Sequence, residues 1–157
     1  MDRARDAAEK AVRNLKIADH MLTQTYPSVR DSRLLLSVME NVFLSMTNSM
    51  AAILHHERAH KRIPPFQNNF ESKFNMFKLK VAHRHNIDKE YMSLISALKN
   101  TLVAHKKSPV EFSRKDVFVI CSDSYDMKTV SVENVRDYVN KAKGFVRTMQ
   151  GIVGVET

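Results

Sequence analysis

The sequence has few of the residues that build turns and covalent cross-links. Its 157 residues include three glycines, four prolines, one cysteine and no tryptophan. So few glycines and prolines disfavour disorder and a turn-rich β architecture, and the 43% hydrophobic content favours a helix-rich globular chain. Because Cys121 is the sole cysteine, an internal disulfide is excluded and nothing indicates an oxidising compartment. We expect an all-α protein forming a single domain over residues 1–157.

Two further absences concern membranes and phosphate loops. No apolar run approaches the length that spans a bilayer, and the amino-terminal residues lack the apolar segment of a signal peptide. We therefore expect a soluble, cytoplasmic protein without membrane contact. A glycine-rich phosphate cradle is excluded because two of the three glycines, Gly151 and Gly154, lie close to the carboxyl terminus.

The charged residues, by contrast, are mostly of one sign. Lys and Arg total 25 against 17 Asp and Glu, which gives a formal net charge of +8 and a pI of about 9.7. A surplus of this kind favours polyanionic partners such as nucleic acid.

Apolar residues recur at helical spacing in five segments, which predicts five helices. Several residues have side chains or backbones that typically begin or end a helix. Tyr26-Pro27 is predicted to end the first helix, Ser28 with Asp31 resembles a capping box, and Gly151 and Gly154 are predicted to end the last helix. Asp88 and Ser131 are predicted to cap the fourth and last helices, and Pro109 is predicted to close the fourth. The predicted helices cover residues 4–22, 31–60, 69–85, 88–105 and 131–149.

The second predicted helix is apolar around most of its circumference. Leu35, Val42 and Met46 line one side of it, and Leu36 and Phe43 lie on another. Such a helix must be central in the fold or shared with a second subunit. We therefore predict a homodimer that forms through the second and fourth helices.

A β-branched and aromatic run interrupts the helical pattern before the last helix. Residues 117–120 and 129–132 are separated by a polar loop, which predicts a short β-hairpin. The predicted fold is thus an antiparallel helical bundle of about five helices with a hairpin before the last one.

The stretch His56-Glu57-Arg58-Ala59-His60 matches the spacing of a zinc hydrolase motif. On a helix, both imidazoles share a face and could reach one metal while Glu57 activated its water. The same stripe carries core residues, however, and the third ligand has no recognisable spacing. Third-ligand alternatives are His83, His85 and Glu71. We expect no metal and no other cofactor, and zinc hydrolysis stays as the less favoured alternative.

The fourth helix ends in a second motif, Lys99-Asn100-Thr101-Leu102-Val103-Ala104-His105. This stretch and the order of the predicted helices resemble the HEPN family (higher eukaryotes and prokaryotes nucleotide-binding). Its members carry an Arg, a polar residue that is often Asn, and a His late in a helix. Here Lys99 stands at the position of the family's Arg, and a compact ammonium cannot form the bidentate fork of a guanidinium.

The resemblance implies an activity and roles for the motif residues. Many HEPN proteins are metal-independent endoribonucleases that act as dimers, and others are inactive relatives that bind RNA or a partner protein. By analogy, His105 transfers protons, Lys99 opposes charge on the phosphate, and Asn100 positions a phosphate or the second subunit.

The surrounding basic residues extend this prediction to binding. Arg84, Lys106 and Lys107 are expected to contact the RNA backbone. The predicted partners are RNA, a second copy of the chain and, for a toxin-type member, an antitoxin or a nucleotidyltransferase-type protein. The alternative is a non-catalytic helical partner or scaffold module.

Overall fold

The structure, a computed structural model, describes residues 2–108, 110–122 and 126–154. Five helices and a small antiparallel sheet before the last helix make up most of this part of the chain. The predicted helical bundle is confirmed, but the sheet has three strands where a two-stranded hairpin was predicted. Within these ranges, no helix combines the length and the hydropathy needed to cross a membrane.

The first helix runs further than its sequence predicts. Helix α1 (Arg3–His20) continues through a π-helical segment (Met21–Thr25) into a final turn, α2 (Tyr26–Val29). The prediction that Tyr26-Pro27 ends the helix is wrong, because the π-helical segment before Pro27 carries the helix past the proline. The chain leaves the helix at Arg30, which has a left-handed φ of 53°.

Helix α3 (Leu34–Ala59) is the centre of the fold. It packs against α1 and against every later helix of the described chain. Leu35, Val42 and Met46 are fully buried in this packing. The apolar circumference of α3 is therefore largely covered within a single chain, so it does not by itself require a second subunit.

The start of α3 also differs from the predicted capping box. The Asp31 carboxylate accepts the Arg33 N–H at 3.0 Å and so caps this turn. Ser28 lies inside the preceding helix, where its hydroxyl donates to the Gln24 carbonyl at 3.3 Å. The assignment of Ser28 as a cap is wrong because the helix before it extends beyond Pro27.

The remaining helices begin at side-chain caps, of which Asp88 and Ser131 were predicted. Asn69, Asp88 and Ser131 accept backbone N–H groups at the starts of three helices. Those helices are α4 (Phe70–Met76), which continues as a π-helical segment (Phe77–Val81), α5 (Lys89–Lys107) and α6 (Val132–Val153).

Two predicted helix ends need correction. The third helix gives way to turns from residue 82, earlier than the predicted end at residue 85. Gly151 lies within α6, and Gly154 alone ends that helix, with a left-handed φ of 77°. Pro109, which was predicted to close the fourth helix, lies outside the described residues; α5 ends at Lys107.

The sheet has the order β1-β2-β3, with antiparallel neighbours. Strands β2 (Val117–Cys121) and β3 (Met127–Ser131) form the predicted hairpin, and β1 (Val110–Arg114) was not predicted. The Tyr26 hydroxyl donates to the Asp116 carboxylate in the β1–β2 turn, which fastens the sheet to the end of the first helix. Burial and this carboxylate raise the pKa of Tyr26 to about 12, so the hydroxyl keeps its proton as the donor.

Candidate functional site

His105 lies in the last turn of α5 and faces the unpredicted strand β1. Its Nδ1 atom is 2.6 Å from a carboxylate oxygen of Glu111. A carboxylate at this distance favours a proton on Nδ1, which leaves Nε2 of the neutral ring as an acceptor. The Phe118 ring packs edge-on at 6.4 Å between centroids and restricts the imidazole further. The geometry is that of an oriented histidine able to take up a proton.

This histidine opens onto a cleft of about 720 Å³, here called the His105 cleft. Its walls come from the start of α3 and from the sheet. The volume is within the range of roughly 300–1,000 Å³ that is typical of small-ligand sites. Besides His105 and Glu111, the lining residues are Asp31, Arg33, Leu36, Ser37, Glu40, Phe112, Ser113 and Phe118.

Arg33 supplies a guanidinium group to the His105 cleft. It pairs with Asp31 through Nη2 at 2.6 Å and through Nε at 3.1 Å. These hydrogen bonds lower the pKa of Asp31 and raise that of Arg33, so both groups are charged at neutral pH. The pair leaves further guanidinium N–H groups free to bind an anion.

Lys99, the predicted partner of His105, lies elsewhere. Its ammonium is 4.1 Å from the centre of the Phe70 ring, a cation–π contact. It lines a separate cavity of about 340 Å³ between α3 and α5, together with Lys106. Glu40 borders both cavities, so they are neighbours, but Lys99 does not line the His105 cleft.

Asn100 is exposed on α5 and lines none of these cavities. One residue corresponds to about 100° around a helix, so Asn100 faces well away from Lys99. The structure therefore does not gather the three motif side chains in one place within a single chain.

The basic residues expected to contact RNA have different environments. Lys106 and Lys107 are exposed at the carboxyl end of α5, close in sequence to His105. Arg84 instead directs its guanidinium to the fully buried Glu57, at 3.2 Å. Lys106 and Lys107 are thus exposed next to His105 in sequence, whereas the guanidinium group of Arg84 is paired with Glu57.

The glutamate of the zinc-like motif belongs to a buried ion cluster. Glu57 accepts hydrogen bonds from His85, from Arg84 at 3.2 Å and from Arg62 at 3.4 Å. Burial acts to raise the pKa of Glu57, but the hydrogen bond and charge of His85 and the charge of Arg62 outweigh it and lower that pKa. The carboxylate is therefore already hydrogen-bonded to three side chains of the chain itself, rather than being left to bind a metal-bound water.

The two histidines of that motif contact each other. The rings of His56 and His60 lie 4.3 Å apart, and Nδ1 of His60 is 2.8 Å from the His56 carbonyl oxygen. Burial and then the neighbouring His60 lower the pKa of His56. Within the described ranges, no group of three or more His, Cys, Asp or Glu side chains is placed to hold a metal ion.

Sequence reasoning missed Glu111 and Arg33. Glu111 follows His105 by six positions, but only the pairing of β1 with β2 turns its side chain toward α5, and β1 was not predicted. Alternation of Val110 and Phe112 with polar residues was the available signal for that strand. Arg33 lies at the start of α3, far from His105 in the sequence, and no local pattern connects the two residues.

We find no match to this chain among protein-family models, curated proteins or solved structures. The resemblance to HEPN proteins, which rests on the motif residues and the order of the predicted helices, therefore stays a prediction.

Proposed function

We propose that this chain is a HEPN-like protein that acts on RNA as a metal-independent endoribonuclease, with its reaction centre in the His105 cleft. The observation that carries the proposal is the hydrogen bond between His105 and Glu111 at the wall of an open cleft. A histidine held by a carboxylate in an accessible cavity is suited to general acid–base chemistry. The net charge of +8 supports a polyanionic substrate.

The proposed reaction uses a hydroxyl group of the substrate itself. Nε2 of His105 takes the proton of an RNA 2′-hydroxyl, whose oxygen then attacks the adjacent phosphorus. The bond to the 5′-oxygen breaks, and that oxygen leaves with a proton from solvent. Glu111 stabilises the imidazolium that forms, as a carboxylate does beside any catalytic histidine.

Charge on the pentacoordinate phosphorus needs a cation, and Arg33 supplies it in place of Lys99. Arg33 lines the same cleft as His105 and presents the planar donors that match phosphate oxygens. Lys99 and Lys106 line the neighbouring cavity and contribute positive potential along the approach. The substitution of Lys for the family's Arg is compatible with activity under this assignment.

The test is RNA cleavage by purified protein in the presence of EDTA. We expect His105→Ala to reduce the rate by about a hundredfold or more. We expect Glu111→Gln to reduce it by about tenfold or more, because the imidazole loses its charge partner. His20→Ala is the matched control, since His20 is exposed on α1 and lines none of the cavities described above.

Cleavage by His105→Ala at the wild-type rate would contradict the catalytic assignment. Wild-type protein that binds RNA but leaves it intact in EDTA would identify the chain as an RNA-binding relative without nuclease activity. Absence of both binding and cleavage would favour the non-catalytic helical partner or scaffold.

A further inference from the structure

A third cavity lies at the opposite end of α3 from the His105 cleft, and its composition differs from that of the cleft. It measures about 360 Å³ and is here called the Arg58 cavity. Among the residues that the structure describes, its lining contains two arginines, one histidine, one aromatic ring and no carboxylate. The lining residues are Arg3, His55, Arg58, Pro65, Phe66 and Asn68.

The two arginines of this cavity form no ion pair within the described part of the chain. Nine ion pairs occur there, and Arg3 and Arg58 belong to none of them. Both side chains are exposed, one at the start of α1 and the other in the last turn of α3. Two unpaired guanidinium groups in one cavity create a local positive potential that an anion would relieve.

The cavity also has an aromatic wall. The rings of His55 and Phe66 lie 5.3 Å apart, tilted by 47°, and both are half-buried. Burial and then the positive charges of Lys73 and Arg3 lower the pKa of His55, which keeps this ring neutral and suited to packing against a base. Unpaired arginines beside aromatic faces are the combination that single-stranded nucleic-acid sites use.

The Arg58 cavity and the His105 cleft lie on the same side of α3. Ser37 lines the cleft and His55 lines the cavity, and they are separated by 18 residues, or about five helical turns at about 3.6 residues per turn. Glu40 and Arg58 have the same separation. At a rise of about 1.5 Å per residue, the two sites are about 27 Å apart along the helix.

We propose that the Arg58 cavity binds one nucleotide unit of single-stranded RNA, at a distance from the His105 cleft. Arg3 and Arg58 bind a phosphate, the base packs against Phe66 and His55, and the Asn68 amide can hydrogen-bond to the base edge. This inference rests on the proposed action on RNA and adds a binding site that the HEPN-like motif does not include.

The test is the binding of a fluorescent RNA of about twelve nucleotides, measured by anisotropy over a range of salt concentrations. We expect Arg3→Ala and Arg58→Ala each to weaken binding by about tenfold at low salt and to reduce the salt slope by about one. Matched controls are Arg13→Ala and Arg136→Ala, two exposed arginines that lie outside the cavity and form no ion pair with any residue that the structure describes. The controls should bind within about twofold of wild type.

A second arm tests the base contact. Phe66→Leu keeps an apolar side chain but removes the ring, so it should weaken binding of the RNA by about tenfold and leave binding of a base-free ribose-phosphate strand unchanged. Circular dichroism of each variant verifies that it is folded. If Phe66→Leu binds each of the two strands as tightly as wild type does, the assignment of a base to this cavity is overturned.

Three results separate this inference from the proposed function. Equal losses in all four arginine variants overturn the Arg58 cavity but leave RNA binding, and hence the proposed function, in place. Selective losses at Arg3 and Arg58 without any cleavage support the cavity and contradict the nuclease. Displacement of the strand by free AMP at the strand's own affinity would overturn the assignment to RNA, because the ligand would then be a free nucleotide.

Discussion

The Tyr91 hydroxyl of α5 lies close to the backbone of α6 at Gly144. A Cβ atom there would lie 2.6 Å from the Tyr91 hydroxyl oxygen, closer than real Cβ contacts. The Tyr91 ring packs against Phe145 at 5.1 Å between centroids, which limits its ability to move aside. Glycine in a helix interior costs about 0.5–1 kcal/mol relative to alanine. The close approach of α5 is the physical reason for glycine here, and Gly151 on the same helix has no such neighbour.

We therefore expect opposite effects of alanine at the two glycines. Gly144→Ala should lower the free energy of unfolding by about 1–3 kcal/mol, because the added methyl group forces Tyr91 to shift. Gly151→Ala should raise it by up to about 1 kcal/mol through helix propensity alone. Urea denaturation measures both. In a Tyr91→Phe background, the loss at position 144 should disappear; an equal gain at both glycines in the wild-type background would disprove the steric explanation.

The carboxyl end of α3 depends on a single buried carboxylate. Glu57 connects this helix to the segment that follows it, through Arg62, and to the turns before α5, through Arg84 and His85. Three separate parts of the chain meet at one side chain that is fully buried. Removing one partner of such a cluster is expensive, because it leaves buried charges without compensation.

Glu57→Gln should lower stability at neutral pH and should remove part of the acid sensitivity of the fold. The pKa of Glu57 is lowered in the folded chain, so the unfolded state binds the proton more tightly and stability rises with pH. The contribution of Glu57 to stability is complete above the ordinary glutamate pKa of about 4.3. It is lost as pH falls through the lower pKa that Glu57 has in the folded chain.

Unfolding free energies from urea titrations between about pH 3 and about pH 7 measure how the stability of wild type and of Glu57→Gln changes with pH. Glu71→Gln is the control, because Glu71 is exposed and forms no ion pair in the described chain. An unchanged slope of stability against pH in Glu57→Gln would show that other carboxylates cause the acid sensitivity.

At the scale of the whole molecule, less apolar surface of α3 and α5 is left for the predicted homodimer than the sequence indicated. Most apolar residues of α3 are buried within the chain, but Leu44 remains 45% exposed and Val103 of α5 remains 39% exposed. Both line the cavity between these helices, and neither lines the His105 cleft or the Arg58 cavity. A second chain can therefore cover them without occupying either proposed RNA site.

We expect wild-type protein to sediment as a dimer at micromolar concentration, and Leu44→Glu to sediment as a folded monomer. The new carboxylate would be desolvated at the interface, which disfavours association. Leu79→Glu is the matched control, because Leu79 is 76% exposed and lies outside this cavity. A monomer in the wild type would disprove the dimer, and equal sedimentation of both variants would place the contact elsewhere.

The sequence by itself determined the elements whose causes are local. Periodicity located α3, α5 and α6, and the side chains of Asp88 and Ser131 cap two of these helices as predicted. A cap or an amphipathic stripe depends on residues a few positions apart, so it can be read without knowing the fold. The exception at Tyr26-Pro27 arose because a π-helical segment precedes the proline and carries the helix past it.

Only the tertiary structure decided which side chains meet. The pairing of β1 with β2 brings Glu111 to His105. The fold also places the Phe70 ring 4.1 Å from the Lys99 ammonium and brings Arg84 and His85, from the turns before α5, to Glu57. Periodicity indicates the face on which a residue lies, but it does not specify the residue opposite. Such contacts depend on the packing of whole elements, which is why His105 could be proposed from the sequence and its partners could not.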